Sequence, residues 1–308
     1  MRAKKNVSVI IPTYNERENI KKLIPNIEKL LLHEDINGEI IIIDDNSPDG
    51  TGKLAEALSK KYKNIRVIHR NKKEGVGSAR RLGFSLASNP VIISMEGDNT
   101  HNPEYIPKFL QEIEKGADLV IGSRYLKESK IVNWPLKRRI ISKVANFISR
   151  FFAGTGITDV TNGYRAFTKK LFNRLKIDSS GYPYNMEFAC EAYSKGFKIS
   201  EIPIVFIDRE KGTSKLHVTK EFASFIATAF RFMYTYKPMK IFGTMGMFMV
   251  GVGSLIALYL VYIRLTAGIV GNRLPLIVLS FVLIISGIQI FSFGLIVNII
   301  SKLRKDIM

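Results

Sequence analysis

Two stretches of this chain carry no charged residue: 241–263 and 274–301. Each is long enough to cross the ~30 Å hydrocarbon core of a bilayer as a helix. Buried helices of soluble proteins are seldom so long and so uniformly apolar. The link between them, residues 264–273, is short and contains glycine, so a helical hairpin is expected, with spans at about 241–263 and 274–300. Arg264 and Arg273 lie in the link. Arg231, Lys237 and Lys240 precede the first span, and Lys302, Arg304 and Lys305 follow the second. The excess of basic residues on that side puts both termini in the cytoplasm. A hairpin of two helices buries little of itself, which leaves surface for self-association into a homo-oligomer.

The rest of the chain must account for a formal net charge of +19, from 46 Lys+Arg against 27 Asp+Glu. Nucleic acid, anionic lipid headgroups and phosphorylated substrates would all answer it. Nothing in nucleic-acid recognition calls for two apolar spans, so a membrane surface and phosphorylated ligands are expected and nucleic acid is not. A single cysteine, Cys190, excludes an intrachain disulfide and a cysteine-based metal site, and fits a reducing compartment. The apolar run at residues 7–11 ends at Pro12 and is too short for a signal-peptide core, so the soluble part is expected to stay in the cytoplasm.

Upstream of the hairpin, β-branched runs at 7–11, 40–43, 66–68, 91–95 and 119–121 alternate with helical patterns at 18–32, 53–61, 76–86 and 103–115. Such alternation predicts an α/β unit, a mostly parallel Rossmann-like sheet between helices. Ligands then sit at the carboxyl ends of the strands. Three polar clusters fall there: Thr13-Tyr14-Asn15-Glu16, Asp44-Asp45-Asn46-Ser47 and Glu96-Gly97-Asp98. Between 134 and 152 the pattern changes. Leu136, Ile140, Val144, Phe147 and Phe151 recur at helical spacing among Lys137, Arg138, Arg139, Lys143 and Arg150. Residues 135–152 read as a basic amphipathic helix, either lying in a membrane interface or packed on the sheet. Residues 221–236 read the same way and lead into the first span. The expected division is 1–218 for the α/β unit, 219–239 for a membrane-interface helix and 240–308 for the hairpin.

The acidic strand ends carry the chemistry. Asp44-Asp45 closes a run of four isoleucines and could accept hydrogen bonds from a base or ribose, or simply cap the turn before the next helix. Glu96 and Asp98, separated by a glycine, could share one divalent cation with the phosphate oxygens of a substrate. Gly75-Val76-Gly77-Ser78-Ala79-Arg80 lacks the Gly-Lys-Ser/Thr ending of a phosphate loop and reads as a closely packed helix start. His101 reads as a turn residue capping the next helix rather than a catalyst, and the role of His217 stays open.

In combination these segments resemble a known family. The runs 9–16 (Val-Ile-Ile-Pro-Thr-Tyr-Asn-Glu) and 43–51 (Ile-Asp-Asp-Asn-Ser-Pro-Asp-Gly-Thr), with Glu96-Gly97-Asp98 and Gly122-Ser123-Arg124-Tyr125, are similar to inverting GT-A glycosyltransferases of family 2. The segments 159–165 and 208–216 resemble its dolichyl-phosphate mannose synthase branch. The resemblance implies a nucleotide-sugar donor, first GDP-mannose and alternatively UDP-glucose or another UDP-sugar, and a polyprenyl (dolichyl) phosphate acceptor. It implies that Pro12, Tyr14, Glu16, Ile43 and Asp45 hold the nucleotide, with Gly97 and Thr100 beside them. Asp98, with Glu96, would bind Mg²⁺ or Mn²⁺. Arg165, Arg209 and Lys215 would grip donor and acceptor phosphates, with Ser123 and Arg124 on the acceptor side. Asp159 would orient Arg165 or shape its loop. The family usually reads Asp-Ala-Asp where this chain has Glu96-Gly97-Asp98. Processive polysaccharide synthases of the family carry a Gln-x-x-Arg-Trp segment. The one tryptophan here, Trp134, follows Val132-Asn133, so transfer of a single sugar is expected. A membrane anchor or transporter subunit without catalysis would explain the hairpin but not the acidic strand ends.

Overall fold

The computed structural model describes residues 5–181, 183–208, 227, 239–268 and 273–307. It divides into two units, Met1–Thr228 and Ala229–Met308.

In the first unit, seven strands form one sheet: β1 (Lys5–Thr13), β2 (Ile36–Asp44), β3 (Ile65–His69), β4 (Val91–Ser94), β5 (Leu119–Ser123), β7 (Arg165–Thr168) and β8 (Ile199–Pro203). Their order is β3-β2-β1-β4-β7-β5-β8. All neighbours are parallel except β7, which runs antiparallel between β4 and β5. β6 (Lys130–Val132) and β9 (Val205–Ile207) pair separately. The isoleucine-rich strands read as continuous apolar runs because both faces are covered. On one face, Val7, Val9, Ile11, Ile40, Ile42 and Ile93 meet Ile20, Leu23, Ile24 and Ile27 of α1 (Arg17–His33), Ala55 of α2 (Thr51–Lys61) and Phe109 of α4 (Ile106–Glu114). The alternate residues point the other way, toward α3 (Val76–Leu86), α6 (Lys169–Arg174) and α7 (Tyr184–Ser194). There Phe84 meets Phe167 edge-on at 4.9 Å and Phe172 at 5.5 Å, while Phe167 lies 4.8 Å from Phe188. Gly83 of α3 crosses directly over Ile10, where any side chain would overlap.

Helix α5 (Leu136–Ala153) turns its small and polar side inward. Ala145, Asn146 and Ser149 are buried, while Leu136, Ile140, Val144 and Phe147 are 70%, 51%, 40% and 62% exposed. The helix is thus packed on the protein through its polar side, with its apolar stripe outward.

In the second unit, a π-helical turn (Met239–Gly243) leads into α8 (Thr244–Ala267), and α9 (Leu274–Ile307) returns beside it. The two meet along glycines. A methyl group on Gly246 would lie 2.6 Å from the Gly287 carbonyl, and one on Gly253 would lie 3.0 Å from the Ser280 carbonyl. Ser280 Oγ donates to the Gly253 carbonyl at 2.9 Å. Their stretches Ile241–Thr266 and Leu274–Ile300 are long and apolar enough to cross a membrane, and only 22% and 11% of the most apolar parts is buried. The helix expected at 219–239 lies outside the described residues apart from Ala227 and Met239.

Candidate active site

Strand β1 lies between β2 and β4, so the turns after all three stand side by side at one sheet edge. The Asp45 amide donates to the Thr13 carbonyl at 2.9 Å. On the other flank, a Cβ on Gly97 would lie 3.0 Å from Thr13 Cγ2 and 3.4 Å from the Pro12 carbonyl, so a side chain there would press on the end of β1. Each turn reverses through an asparagine in the left-handed region: Asn15 (φ 57°), Asn46 (φ 60°) and Asn99 (φ 63°). Asparagine enters this region more readily than other side-chain-bearing residues. Side chains then tie the turns together. The amides of Asn15, Glu16 and Arg17 donate to Ser47 Oγ (3.0 Å), Thr51 Oγ1 (2.9 Å) and Asp49 Oδ2 (3.2 Å). Asn99 Nδ2 donates to Asn19 Oδ1 at 3.2 Å. Glu16 accepts from Asn19 Nδ2 at 2.6 Å, at the start of α1.

The two aspartates at the end of β2 divide the roles open to them. Asp44 caps its turn, accepting from Ser47 Oγ at 2.5 Å and the Ser47 amide at 3.2 Å. Asp45 is buried and faces the loop before α3, 2.8 Å from Arg70 Nη1 and within 3.3 Å of the Glu74 and Gly75 amides. Burial raises its pKa and outweighs the lowering by Arg70. The Lys73 ammonium sits 4.1 Å above the Tyr14 ring. Arg70 and Lys73 were not singled out by the sequence; their basic run is visible, but its contact with residues 14 and 45 needs the β1–β2–β3 order.

After β4, Asp98 is buried and accepts from Thr100 Oγ1 at 2.6 Å and the Thr100 amide at 3.1 Å. His101 Nδ1 accepts from the Glu96 amide at 3.0 Å, and its ring stacks on Tyr164 with centroids 4.6 Å apart. It closes the Glu96–Thr100 turn rather than capping the next helix, whose cap is Asn102. Burial depresses its pKa to about 4, although Glu96 and Asp98 pull the other way. Glu96 Oε1 contacts Nη2 of Arg80, a fully buried α3 residue that the sequence reading passed over as part of a helix start. That helix start is closed, as expected: the Gly77 amide donates to the Ser180 carbonyl at 2.8 Å.

Three residues expected at phosphates sit below the surface. Arg165, at the start of β7, is 2% exposed. It donates to the carbonyls of Asn162 (Nε, 3.2 Å) and Asn185 (Nη1, 3.0 Å), and burial brings its pKa down to about 9. Such a guanidinium holds the 159–165 loop to α7 and is not presented to a phosphate. Asp159 pairs with Arg124, not Arg165. Arg124 Nε and Nη2 lie 2.7 and 2.9 Å from its two oxygens, a bidentate pair. Arg124 also donates to Thr161 Oγ1 at 2.7 Å and lies 5.0 Å over the Trp134 ring. Ser123 is fully buried, 2.6 Å from Thr158 Oγ1. Arg209, Lys215 and His217 lie outside the described residues.

Residues 8–176 match the Glycosyl transferase family 2 model. The chain belongs to glycosyltransferase family 2. It is 40% identical over 215 residues to the polyprenol monophosphomannose synthase of Mycolicibacterium smegmatis, covering 68% of this chain and 80% of that one. To the dolichol-phosphate mannosyltransferase of Pyrococcus furiosus it is 41% identical over 212 residues, 68% of this chain and 59% of that one. Among solved structures, glucosyl-3-phosphoglycerate synthase from Mycobacterium tuberculosis, in complex with Mn²⁺, UDP and glucosyl-3-phosphoglycerate, superimposes with a TM-score of 0.57. That likeness, at 18% identity, covers 73% of this chain and 78% of that one. The fold is therefore GT-A, and the protein is a glycosyltransferase whose sheet edge at β1, β2 and β4 is the candidate active site.

Proposed function

We propose that this glycosyltransferase moves one mannose from GDP-mannose to a polyprenyl phosphate, with inversion, at the cytoplasmic face of a membrane. The observation that carries the reading is the convergence of Asp45, Pro12-Thr13 and Gly97-Asp98 on one sheet edge, in a chain whose relatives are named for mannose transfer to polyprenol, dolichol and undecaprenyl phosphates.

In this reading Pro12, Tyr14, Glu16, Ile43 and Asp45 hold the nucleotide, with Lys73 and Arg70 beside them. Glu96 lies next to the sugar. No three His, Cys, Asp or Glu groups cluster among the described residues, so this edge offers one carboxylate, Asp98, or two with Glu96. That is the protein's share of a Mg²⁺ site otherwise filled by substrate phosphate oxygens and water, so the residues fit a divalent cation. Bound there, Mg²⁺ or Mn²⁺ would neutralise the departing nucleoside diphosphate. The acceptor needs no strong base, because a phosphate monoester has a second pKa near ~6 and is largely dianionic at neutral pH. His101, neutral and committed to the Glu96 amide, is not asked for one. Arg209 and Lys215 would orient the acceptor phosphate, while Arg124 and Ser123 shape the wall beneath it. The outward apolar stripe of α5, flanked by Lys137, Arg139 and Lys143, suits an anionic membrane surface. The two apolar helices would anchor the chain with both ends cytoplasmic.

The test is a donor screen. Detergent-purified protein, Mg²⁺ and a polyprenyl phosphate are incubated with labelled GDP-mannose, UDP-glucose or UDP-N-acetylglucosamine, and lipid-phase label is counted. Label from GDP-mannose, lost in Asp98→Asn, supports the reading. Label from a UDP-sugar alone replaces the donor, and no lipid label despite donor binding removes the acceptor.

A further inference from the structure

We infer that Arg80 is a positioning residue for the donor sugar, acting through Glu96. The inference rests on the reading that Glu96 lies beside the donor. Arg80 is 1% exposed on α3, and Glu96 Oε1 is the carboxylate oxygen it contacts. Its other branch, Nη1, donates to Asn185 Oδ1 of α7 at 2.8 Å, and Asn185 Nδ2 donates to the Thr161 carbonyl at 3.0 Å. The guanidinium is thus held at one end by α7 and the 159–165 loop, and it holds Glu96 at the other. From the opposite side, Gly163 closes over the pair. A Cβ there would overlap Arg80 Nη2 and come within 2.8 Å of Glu96 Oε1.

Glu96 is fixed in two places, its amide by His101 Nδ1 and one carboxylate oxygen by Arg80. The second oxygen, Oε2, takes no hydrogen bond among the described residues, and the side chain is 30% exposed. A carboxylate with one oxygen anchored to a buried fork and the other turned to a site edge is an oriented acceptor. A hydroxyl of a hexose is the donor that Oε2 would meet. The length of Glu96 gains a reason: the extra methylene, compared with aspartate, spans the gap to a buried arginine. Asp98, two residues on, is left as the carboxylate for the cation.

This arrangement separates the sugar from the nucleotide, and the experiment reads that separation. Affinities for GDP and for GDP-mannose, and kcat and KM for transfer to polyprenyl phosphate, are measured on the full chain in detergent for wild type, Arg80→Met, Arg80→Lys and Glu96→Asp. Arg80→Met is expected to bind GDP within about twofold of wild type and to lose about tenfold or more in kcat/KM for GDP-mannose, the loss that one charged hydrogen bond represents. Glu96→Asp, too short to reach Arg80, should lose a similar factor, and the two losses should not add in the double variant. Arg80→Lys, which keeps the charge without the fork, should fall between. Equal loss of GDP and GDP-mannose binding would make Arg80 a fold residue and overturn the inference, as would unchanged kcat/KM. If Arg80→Met does not fold, the same ratio in Arg80→Lys decides. Wild type that transfers from a UDP-sugar changes the donor in each arm but not the ratio. Wild type that transfers no sugar defeats the functional reading, while a lost preference for nucleotide-sugar over nucleotide still reports on Arg80.

Discussion

Arg124 and Asp159 illustrate how a residue's charge is spent. Burial alone would raise the Asp159 pKa, yet the Arg124 guanidinium, bonded to both its oxygens, brings it below the ordinary carboxylate value. A carboxylate lowered in this way adds stability that is whole above its unfolded value of ~3.9 and is lost as the pH falls below it. Acid unfolding should therefore steepen below about pH 4. Asp159→Asn leaves a buried cation half-paired and should cost about 3–5 kcal/mol, read as a lower urea midpoint at pH 7. A variant as stable as wild type would mean the pair contributes nothing. Asp159 and Arg124 were both visible in the sequence, 35 residues apart. Their partnership was not, because the sequence places Arg165 closer to Asp159, and only the antiparallel course of β7 turns Arg165 away into the core.

At the scale of elements, α5 is the clearest departure from ordinary packing. Its sequence allowed either a membrane-interface helix or one packed on the sheet, and the structure packs it through Ser142, Asn146 and Ser149 with the apolar stripe outward. The chain's one tryptophan, Trp134, stands just before it. In proteoliposomes its fluorescence should be quenched by brominated phospholipids. In Ile140→Glu/Phe147→Glu the quenching should fall, since each buried apolar side chain is worth ~1.5–3 kcal/mol. Quenching unchanged by the double substitution would put the stripe away from lipid. The hairpin offers a second element-scale prediction. Gly246 and Gly287 let α8 and α9 touch backbone to backbone, so Gly246→Leu should force them apart and lower the detergent unfolding midpoint by several degrees. An unaltered midpoint would argue against this seam.

At the scale of the whole molecule, orientation is the question to test. Cys190 is buried, with its pKa pushed up to about 12 by burial, so the natural chain gives a low background with thiol reagents. A membrane-impermeant maleimide applied to intact cells should label Arg273→Cys in the link, and should label Lys5→Cys only after permeabilisation. The reverse pattern would invert the proposed topology. A chelator should abolish transfer without lowering the unfolding midpoint, and either Mg²⁺ or Mn²⁺ should restore it. Transfer that survives chelation would exclude the cation reading of Asp98.

The sequence by itself determined the apolar hairpin, the five leading strands and the three polar strand ends, because each is written in local pattern: charge-free length, β-branched runs, and Asn- and Asp-rich turns. Its motif order also pointed to the family. What only the tertiary structure decided is which of those residues touch. The strand β7, four residues long, is too short to announce itself, yet its insertion between β4 and β5 buries Arg165. Arg80 joins Glu96 because α3 packs across β1 and β2, beside the turn that follows β4, a contact that no spacing along the chain encodes. Local pattern fixes which elements form and where their ends lie. Pairing of buried charges depends on the order of strands across the sheet, a non-local property settled when the core closes.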